Sequence, residues 1–325
     1  MPHGARARKG FCYRPSMEFD LEAAARLPAT IRFGTSSWKY DGWRGTIYRR
    51  DYKGKKDFEA RALGEYAEFP WFRCVGLDSS FYRPPSVDSI EAMSRQVGPD
   101  FRWLPKVWDR ITVPFYGRHK RYGDMAGKAN PSFLDPVLFR DHFLAPFESS
   151  LSAKNTGPFI FQFQSIPRMG LPEVTWFLDR LETFLAALEG KVLCGIELRN
   201  PRLLTARYFG ILNAHGATHC FNHWGGMPPL IDQMRSSAAA GGLRANWYLC
   251  RLLTPLGLSY KQSVNRFSPY DRLQEVQPQM RRDVGRLAMR ALERGGEAWI
   301  VVNNRVEGNS PQTIDALGRS IVDML

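Results

Sequence analysis

Eight apolar runs that are typical of strands alternate with helical patterns along this chain of 325 residues. The runs lie at 31–35, 73–81, 101–107, 157–163, 191–199, 217–222, 247–253 and 298–303. Helical spacing between them is clearest at 175–188 and 284–292. Eight strand–helix repeats predict an α/β fold, a closed (β/α)8 TIM barrel. The alternative, a doubly wound sheet, usually has fewer strands and a glycine-rich first turn.

The run 191–199 predicts where the barrel carries its chemistry. Alternate apolar residues from Val192 to Leu198 share one face, so Glu197 and Arg199 point together to the other face. Charges inside a core strand are costly unless they are paired, and α/β proteins tolerate them where strand ends meet a ligand. We therefore expect a site at the C-terminal mouth of the barrel.

The composition predicts a globular, cytoplasmic protein. Apolar residues make up 44% of the chain, and no apolar run approaches the roughly 20 residues that cross a bilayer. The first 15 residues lack the apolar segment of a signal peptide. The five cysteines include no C-x-x-C pair, so we interpret them as reduced core residues. No linker divides the chain, and we expect a flexible basic arm at 1–30 followed by one barrel domain at 31–325.

The net charge of +13 indicates an anionic ligand, with nucleic acid among the candidate partners. Three long predicted loops after strands, at 38–56, 108–134 and 254–274, contribute net charges of +5, +3 and +2. In a barrel these loops surround one mouth. The predicted nucleic-acid contacts are basic residues of the first two loops: Arg49, Arg50, Lys53, Lys55, Lys56, Arg118, Lys120 and Arg121.

Aromatic residues are interleaved with these charges, as in proteins that follow a phosphate backbone and stack bases. The first loop alone contains Trp38, Tyr40, Trp43, Tyr48 and Tyr52. The alternative is that the rings anchor the loops to the barrel and that the charges are solvated.

No metal or cofactor is predicted. The segment 123–128 is one residue too short for a P-loop and lacks the Ser or Thr that holds magnesium. His215, His219 and His223 repeat every four residues, but Gly216 interrupts the segment, so we do not interpret the spacing as a metal motif.

The predicted strand ends carry polar side chains that a barrel would bring together. Glu197 is the natural general acid or base, with Asp78 as a second carboxylate. Lys106, Arg199 and Arg251 are suited to clamping an anion. The alternative is an internal ion-pair network that closes the top of the barrel. Further ligand-binding candidates are Gln162, Asn303 and Asn304.

Several motifs resemble the YecE-like TIM-barrel proteins, the family of domain of unknown function 72. They are G-T-S-S-W at 34–38, S-S-F-Y-R-P at 79–84, the strand that ends at Lys106, F-Q-F at 161–163, G-I-E-L-R at 195–199 and V-N-N-R-V-E-G at 302–308. The resemblance implies a TIM barrel but no established activity. It lends Lys106, Glu197, Arg199, Asn303 and Asn304 to a shared pocket. Trp38 and Tyr82, which lie in the matching motifs, are further ligand-binding candidates.

The chain departs from the family pattern at three places. Gly76 stands where a glutamate is usual in the second strand, which leaves Glu197 without its usual carboxylate companion. Residues 164–165 replace a proline pair, and residues 253–254 replace a histidine-glycine pair.

Three functions fit these observations. The first is a metal-independent enzyme, or the descendant of one, that binds a phosphate-bearing ligand such as nucleic acid or a nucleotide at the mouth. The second is a non-catalytic nucleic-acid-binding barrel. The third is a sugar-phosphate isomerase or lyase, which would use the same anion clamp without needing the basic loops. Oligomeric state and substrate stay open.

Overall fold

The computed structural model describes residues 19–149, 151–166, 170–188 and 190–325. In these ranges eight strands pair in parallel, in the spatial order β3-β2-β1-β8-β7-β6-β5-β4. Parallel bridges between Trp103 and Thr156 and between Lys106 and Ile160 join the β3 and β4 edges. The predicted (β/α)8 TIM barrel is confirmed. The strands are β1 Ile31–Thr35, β2 Cys74–Leu77, β3 Arg102–Pro105, β4 Phe159–Phe163, β5 Cys194–Leu198, β6 Thr218–His223, β7 Trp247–Leu252 and β8 Glu297–Val302.

Helices follow the strands and cover the outside of the barrel. The apolar face predicted for 175–188 is buried along α6, from Val174 to Leu188. The α-helices are α1 Leu21–Arg26, α2 Lys55–Ala67, α3 Val87–Ser94, α4 Asp109–Thr112, α5 Pro136–Leu138, α6 Leu171–Leu188, α7 Ala206–Ala214, α8 Leu230–Ala239, α9 Tyr260–Phe267, α10 Pro278–Glu293 and α11 Ser310–Val322. In the described ranges, no helix combines the length and apolar character needed to cross a membrane.

The segment before β1 is attached to the barrel from residue 20 onward. The backbone N–H of Asp20 donates to Asp315 Oδ1 at 2.8 Å. The guanidinium of Arg73 donates to the carbonyls of Ala24 and Leu27, at 3.3 and 2.9 Å. Residues 1–18 of the predicted basic arm lie outside the described residues.

Strand alternation divides the core into two layers. Cys194, Ile196 and Leu198 of β5 face the helices and belong to the larger apolar core. A smaller cluster fills the barrel interior, with Leu249 of β7 among its members. Gly195 is needed in this interior layer because a Cβ there would lie 2.3 Å from Leu249 Cδ2. The next interior layer toward the C-terminal mouth is polar, and it holds the candidate site.

Strand β2 is shorter than the sequence predicts. It ends at Leu77, and Asp78–Phe81 forms a 3-10 turn. Ser80 Oγ is within hydrogen-bonding distance of the carbonyls of Leu77 and Lys106, at 2.6 and 2.7 Å. This hydroxyl connects the end of β2 to the end of β3, so the turn positions Asp78 beside Lys106.

Candidate functional site

Five charged residues meet at the C-terminal end of the barrel interior, and we call them the mouth cluster: Asp78, Lys106, Glu197, Arg199 and Arg251. Arg251 Nη1 donates to Glu197 Oε2 at 2.7 Å, and Arg251 Nη2 donates to Asp78 Oδ1 at 2.7 Å. Arg199 Nη2 forms an ion pair with the other oxygen, Glu197 Oε1. Glu197 and Arg199 therefore lie on the same face of β5, as strand alternation predicts.

Glu197 is fully buried between two guanidinium groups. Burial alone would raise the pKa of Glu197, but the charges of Arg199, Arg251 and Lys106 outweigh burial and hold its pKa at about 2. Arg251 is 1% exposed and its two terminal nitrogens are both taken by carboxylates. Glu197 is consequently a fixed anion at neutral pH, and its geometry suits the positioning of cations.

Lys106 has a different environment. It is half-buried, and its Nζ lies 4.0 Å from the centroid of the Phe81 ring. Burial lowers the pKa of Lys106 to about 8, although Asp78 and Glu197 oppose this effect. Among the described residues, no hydrogen bond or salt bridge involves Nζ. Lys106 therefore offers a free amine whose pKa is close to neutral pH.

Hydrogen-bond donors outnumber acceptors among the unpartnered buried atoms near the mouth cluster. In the described part of the chain, Arg199 Nε and Nη1 and Arg251 Nε are buried without a hydrogen-bond partner, and the Arg199 guanidinium lies 4.0 Å from the centroid of the Trp224 ring. The corresponding acceptors are Glu197 Oε1, which nevertheless pairs with Arg199, and Asn222 Oδ1 beside Arg251. The cluster has three cations and two carboxylates. An excess of donors and of positive charge favours an anionic ligand.

Of the other predicted ligand-binding residues, one lies beside the mouth cluster and two lie in the turn after β8. Gln162 lies opposite Glu197 in the β4–β5 register and is buried. Asn303 and Asn304 shape the turn after β8. Asn303 Oδ1 accepts from Arg305 N at 3.1 Å, and Asn304 Oδ1 accepts from Ser310 N at 2.8 Å. The side chains of both therefore have local structural partners.

Trp38 and Tyr82 lie at the edge of the mouth. Trp38 is 5% exposed and packs into the apolar core, with Lys39 Nζ 5.0 Å from its ring. Tyr82 is 63% exposed, and the guanidinium of Arg121 lies 4.8 Å from its ring. Of the two, only Tyr82 presents an accessible ring face.

The charge of the first loop is partly offset by helix α2, which follows it. Glu59 pairs with both Lys39 and Lys55, and Glu68 pairs with Arg50. These acids lie outside the loop boundary, so the sequence sum of +5 overstates the local charge. Lys55 and Lys56 belong to the first turn of α2. The remaining predicted contact residues, Arg49, Lys53, Lys56, Arg118 and Lys120, have exposed side chains, whereas Arg121 pairs with Asp109.

The aromatic rings of the first loop are mostly buried. Trp43 and Tyr48 are each 1% exposed, and their rings stack against each other. Tyr40 is half-buried, and burial raises its pKa. The described geometry supports the alternative interpretation, in which these rings anchor the loop.

Sequence reasoning missed a carboxylate in the loop after β3. Asp109 is 4% exposed, accepts a 2.8 Å hydrogen bond from the Tyr122 hydroxyl and pairs with Arg121. Burial raises the pKa of Asp109 despite these partners and the charge of Lys106. Asp109 and Tyr122 line a cavity of about 530 Å³ with Tyr82 and Trp108. No motif marks Asp109, because its burial depends on how the long loop folds back.

Metal ligands do not cluster in this site. Over the described ranges, no group of three or more His, Cys, Asp and Glu side chains is placed to hold a metal ion. His219, central to the repeated histidines, hydrogen-bonds to Tyr208 and Gln233 within the core, and burial lowers its pKa to about 4.

The comparison with protein families decides the identity. The family described as "Protein of unknown function DUF72" matches residues 32–323. The chain belongs to the DUF72 family. No curated protein matches it.

Solved DUF72 structures have the same fold. A DUF72 protein from Enterococcus faecalis V583 has a TM-score of 0.61 at 16% identity, covering 90% of this chain and 95% of that one. A second structure of that protein has a TM-score of 0.57 at 17% identity, covering 91% of this chain and 98% of that one. A DUF72 protein from Thermotoga maritima MSB8 has a TM-score of 0.55 at 18% identity, covering 90% of this chain and 98% of that one. At these identities the likeness concerns the fold alone.

At Gly76, where the family usually has a glutamate, the neighbouring backbone of Ser36 leaves little space for a side chain. A Cβ at Gly76 would lie 3.3 Å from both Cα and the carbonyl oxygen of Ser36. A larger side chain would therefore require β1 or β2 to shift by a few tenths of an ångström.

Proposed function

We propose that this DUF72 protein is a metal-independent enzyme that binds a small phosphate-bearing ligand at the mouth of its barrel. The observation that carries the proposal is the state of Arg199. This guanidinium is held by Glu197 through Nη2 and lies over the Trp224 ring, while Nε and Nη1 are buried without a hydrogen-bond partner among the described residues. Two unused donors of one planar guanidinium suit the oxygens of a phosphate group.

Each charged residue has a role in the proposal. Glu197 fixes Arg199 and Arg251, and Arg251 fixes Asp78, so these ion pairs hold the clamp in place before the ligand arrives. Arg199 and Lys106 bind the anion. The ligand enters past Lys106 and Asp78, which are the solvent-accessible members of the cluster.

Lys106 replaces Glu197 as the acid–base group in this proposal. General acids and bases work best when their pKa lies near the working pH. The pKa of Lys106 is lowered by burial to about 8, whereas the surrounding cations hold the pKa of Glu197 at about 2. At pH 7 roughly a tenth of Lys106 is neutral, so both of its protonation states are populated.

A small ligand fits the mouth better than a nucleic acid does. The acids of α2 offset part of the first loop's charge, and the rings of Trp43 and Tyr48 are buried rather than available for stacking. Nucleic-acid binding by the exposed loop cations stays a prediction.

Thermal unfolding in increasing concentrations of inorganic phosphate tests the proposal. Binding to the folded state alone stabilises it by about 2.7 kcal/mol at a hundredfold excess over Kd. We expect the melting temperature of the wild type to rise with phosphate. We expect Arg290→Gln, an exposed cation on α10, to behave like the wild type.

Two variants at residue 199 complete the test. Arg199→Lys keeps the charge but loses the planar pair of donors, and Arg199→Gln loses both. We expect the phosphate response to weaken in the first and to vanish in the second, with circular dichroism confirming that each variant is folded. An equal phosphate response in wild type and Arg199→Lys would overturn the role of Arg199. The absence of any response in the wild type would overturn the proposed function.

A further inference from the structure

We propose that Lys106 forms an imine with the carbonyl carbon of a phosphate-bearing aldehyde or ketone, such as a small sugar phosphate. This inference rests on the proposed function and assigns it a substrate class. It makes Lys106 a nucleophile, so the phosphate group of the covalent adduct is held by Arg199, whereas free inorganic phosphate contacts both residues.

The surroundings of Lys106 are those of a reactive amine. Among the described lysines, Lys106 alone is not exposed. Its Nζ lies over the face of the Phe81 ring, at 4.0 Å from the centroid, and forms no salt bridge within the described residues. Burial lowers its pKa to about 8. An amine that is desolvated and close to other cations is an activated nucleophile.

The step needs no external reactant besides the carbonyl compound. The neutral amine attacks the carbonyl carbon and forms the C–N bond, and the carbonyl oxygen takes up a proton to become a hydroxyl. The amine nitrogen loses its protons, the hydroxyl leaves as water, and the C=N bond forms. Nothing is oxidised or reduced.

Two carboxyl groups are placed to move these protons. Asp78 is held by Arg251 Nη2 at the solvent-accessible side of the cluster. Asp109 lies in the loop immediately after Lys106, and its carboxylate is held by Arg121 and the Tyr122 hydroxyl. Burial raises the pKa of Asp109, which makes this carboxylate a better proton acceptor. The charge of Asp78 raises the pKa of Lys106, and the charge of Lys106 lowers the pKa of Asp109.

The adduct would define the class of reaction. A protonated imine withdraws electrons from the neighbouring carbon, so proton removal at that carbon or cleavage of the next carbon–carbon bond becomes easier. This chemistry corresponds to the isomerase or lyase hypothesis. It also gives a chemical use to a lysine in a position where burial penalises its charge.

Reductive trapping tests the inference. The full chain is incubated with glyceraldehyde 3-phosphate and sodium cyanoborohydride at pH 7.5, and modified peptides are identified by mass spectrometry. We expect labelling at Lys106 to exceed labelling at exposed Lys120 by at least about tenfold, since burial lowers the pKa of Lys106 and so raises its share of free base at this pH. Lys106→Arg, which keeps the charge, should lose that label and retain the weak labelling of Lys120.

Inorganic phosphate and unphosphorylated glyceraldehyde separate this inference from the proposed function. We expect phosphate to suppress the Lys106 label and glyceraldehyde to label it less. A phosphate-dependent rise in melting temperature without preferential labelling of Lys106 would overturn the imine and leave the proposed function standing. Equal labelling by both aldehydes, with no effect of phosphate on labelling or melting, would overturn both.

Discussion

Arg251 Nη1 donates a 2.7 Å hydrogen bond to Glu197 Oε2 inside the barrel, where neither residue is more than 1% exposed. The bond connects β7 to β5, and the second terminal nitrogen of Arg251 reaches Asp78 at the end of β2. A buried ion pair gives little net stability compared with an apolar pair, but removing one partner leaves an uncompensated charge. This arrangement therefore fixes the geometry of the mouth.

The first prediction concerns the removal of one carboxylate charge. Glu197→Gln keeps the shape of the side chain but leaves Arg199 and Arg251 with one charge fewer to balance them. We expect a loss of roughly 3 to 5 kcal/mol in the free energy of unfolding, measured with urea. Glu293→Gln, an exposed glutamate at the end of α10, serves as the control and should be within about 0.5 kcal/mol of wild type.

The pH dependence of this loss identifies its cause. The neighbouring cations lower the folded-state pKa of Glu197 to about 2 from the usual 4.5, so its contribution is present above pH 4.5 and is lost as the pH falls toward 2. The difference between wild type and Glu197→Gln should shrink over that window. Unchanged stability in Glu197→Gln together with abolished turnover would instead identify Glu197 as the acid–base group.

The second prediction concerns the free-energy cost of burying the Lys106 side chain. Burial lowers its folded-state pKa to about 8, below the usual 10.5, so the unfolded chain binds more protons between these values and wild-type stability rises with pH there. Below pH 8 Lys106 is charged in both the folded and the unfolded chain, so the full free-energy cost of burying its charge remains. Lys106→Met should therefore stabilise the fold by roughly 1 to 3 kcal/mol at pH 7, and the gain should fade toward pH 10.5. A destabilised Lys106→Met variant at pH 7 would contradict this account.

The third prediction concerns the basic loops. Replacing Arg49, Arg50, Lys53, Lys55 and Lys56 with glutamine should lower the magnitude of the log–log salt slope for duplex binding by up to roughly 4.5, because each phosphate that is no longer neutralised lowers it by about 0.9. If Arg50 and Lys55 stay paired with Glu68 and Glu59, the decrease should be nearer about 2.7. No duplex binding at low salt, or a slope that the replacements leave unchanged, would rule out this surface.

The fourth prediction concerns metals. The mouth cluster offers cations and two carboxylates that are already paired with Arg251, which is a poor setting for a metal ion. Treatment with a chelator followed by dialysis should leave the melting temperature and the phosphate response unchanged. Stoichiometric metal detected by elemental analysis after dialysis would contradict this prediction.

The barrel could be predicted because its signals are local. Strand alternation in β5 places Ile196 toward the helices and Glu197 toward the interior, and the same two-residue period locates Lys106 and Arg251 at other strand ends. The parallel barrel then brings these ends together. This is why the mouth cluster could be predicted from residues that are far apart in the chain.

The features of the site that could not be predicted from the sequence depend on tertiary contacts of loops. The raised pKa of Asp109 results from burial by a loop whose path no periodic pattern describes. The balance of the first loop's charge depends on Glu59 and Glu68 of the next helix, which a count within loop boundaries leaves out. The unequal roles of Glu197 and Lys106 likewise depend on which charges surround each one.

The most direct test of the central claim is a crystal structure of the protein soaked in inorganic phosphate, with tungstate as an anomalous marker in a parallel crystal. Our account predicts tetrahedral anion density within hydrogen-bonding distance of Arg199 Nε or Nη1 and of Lys106 Nζ, and its loss in Arg199→Gln. Ordered water alone at the mouth, with the marker bound only elsewhere, would contradict the account.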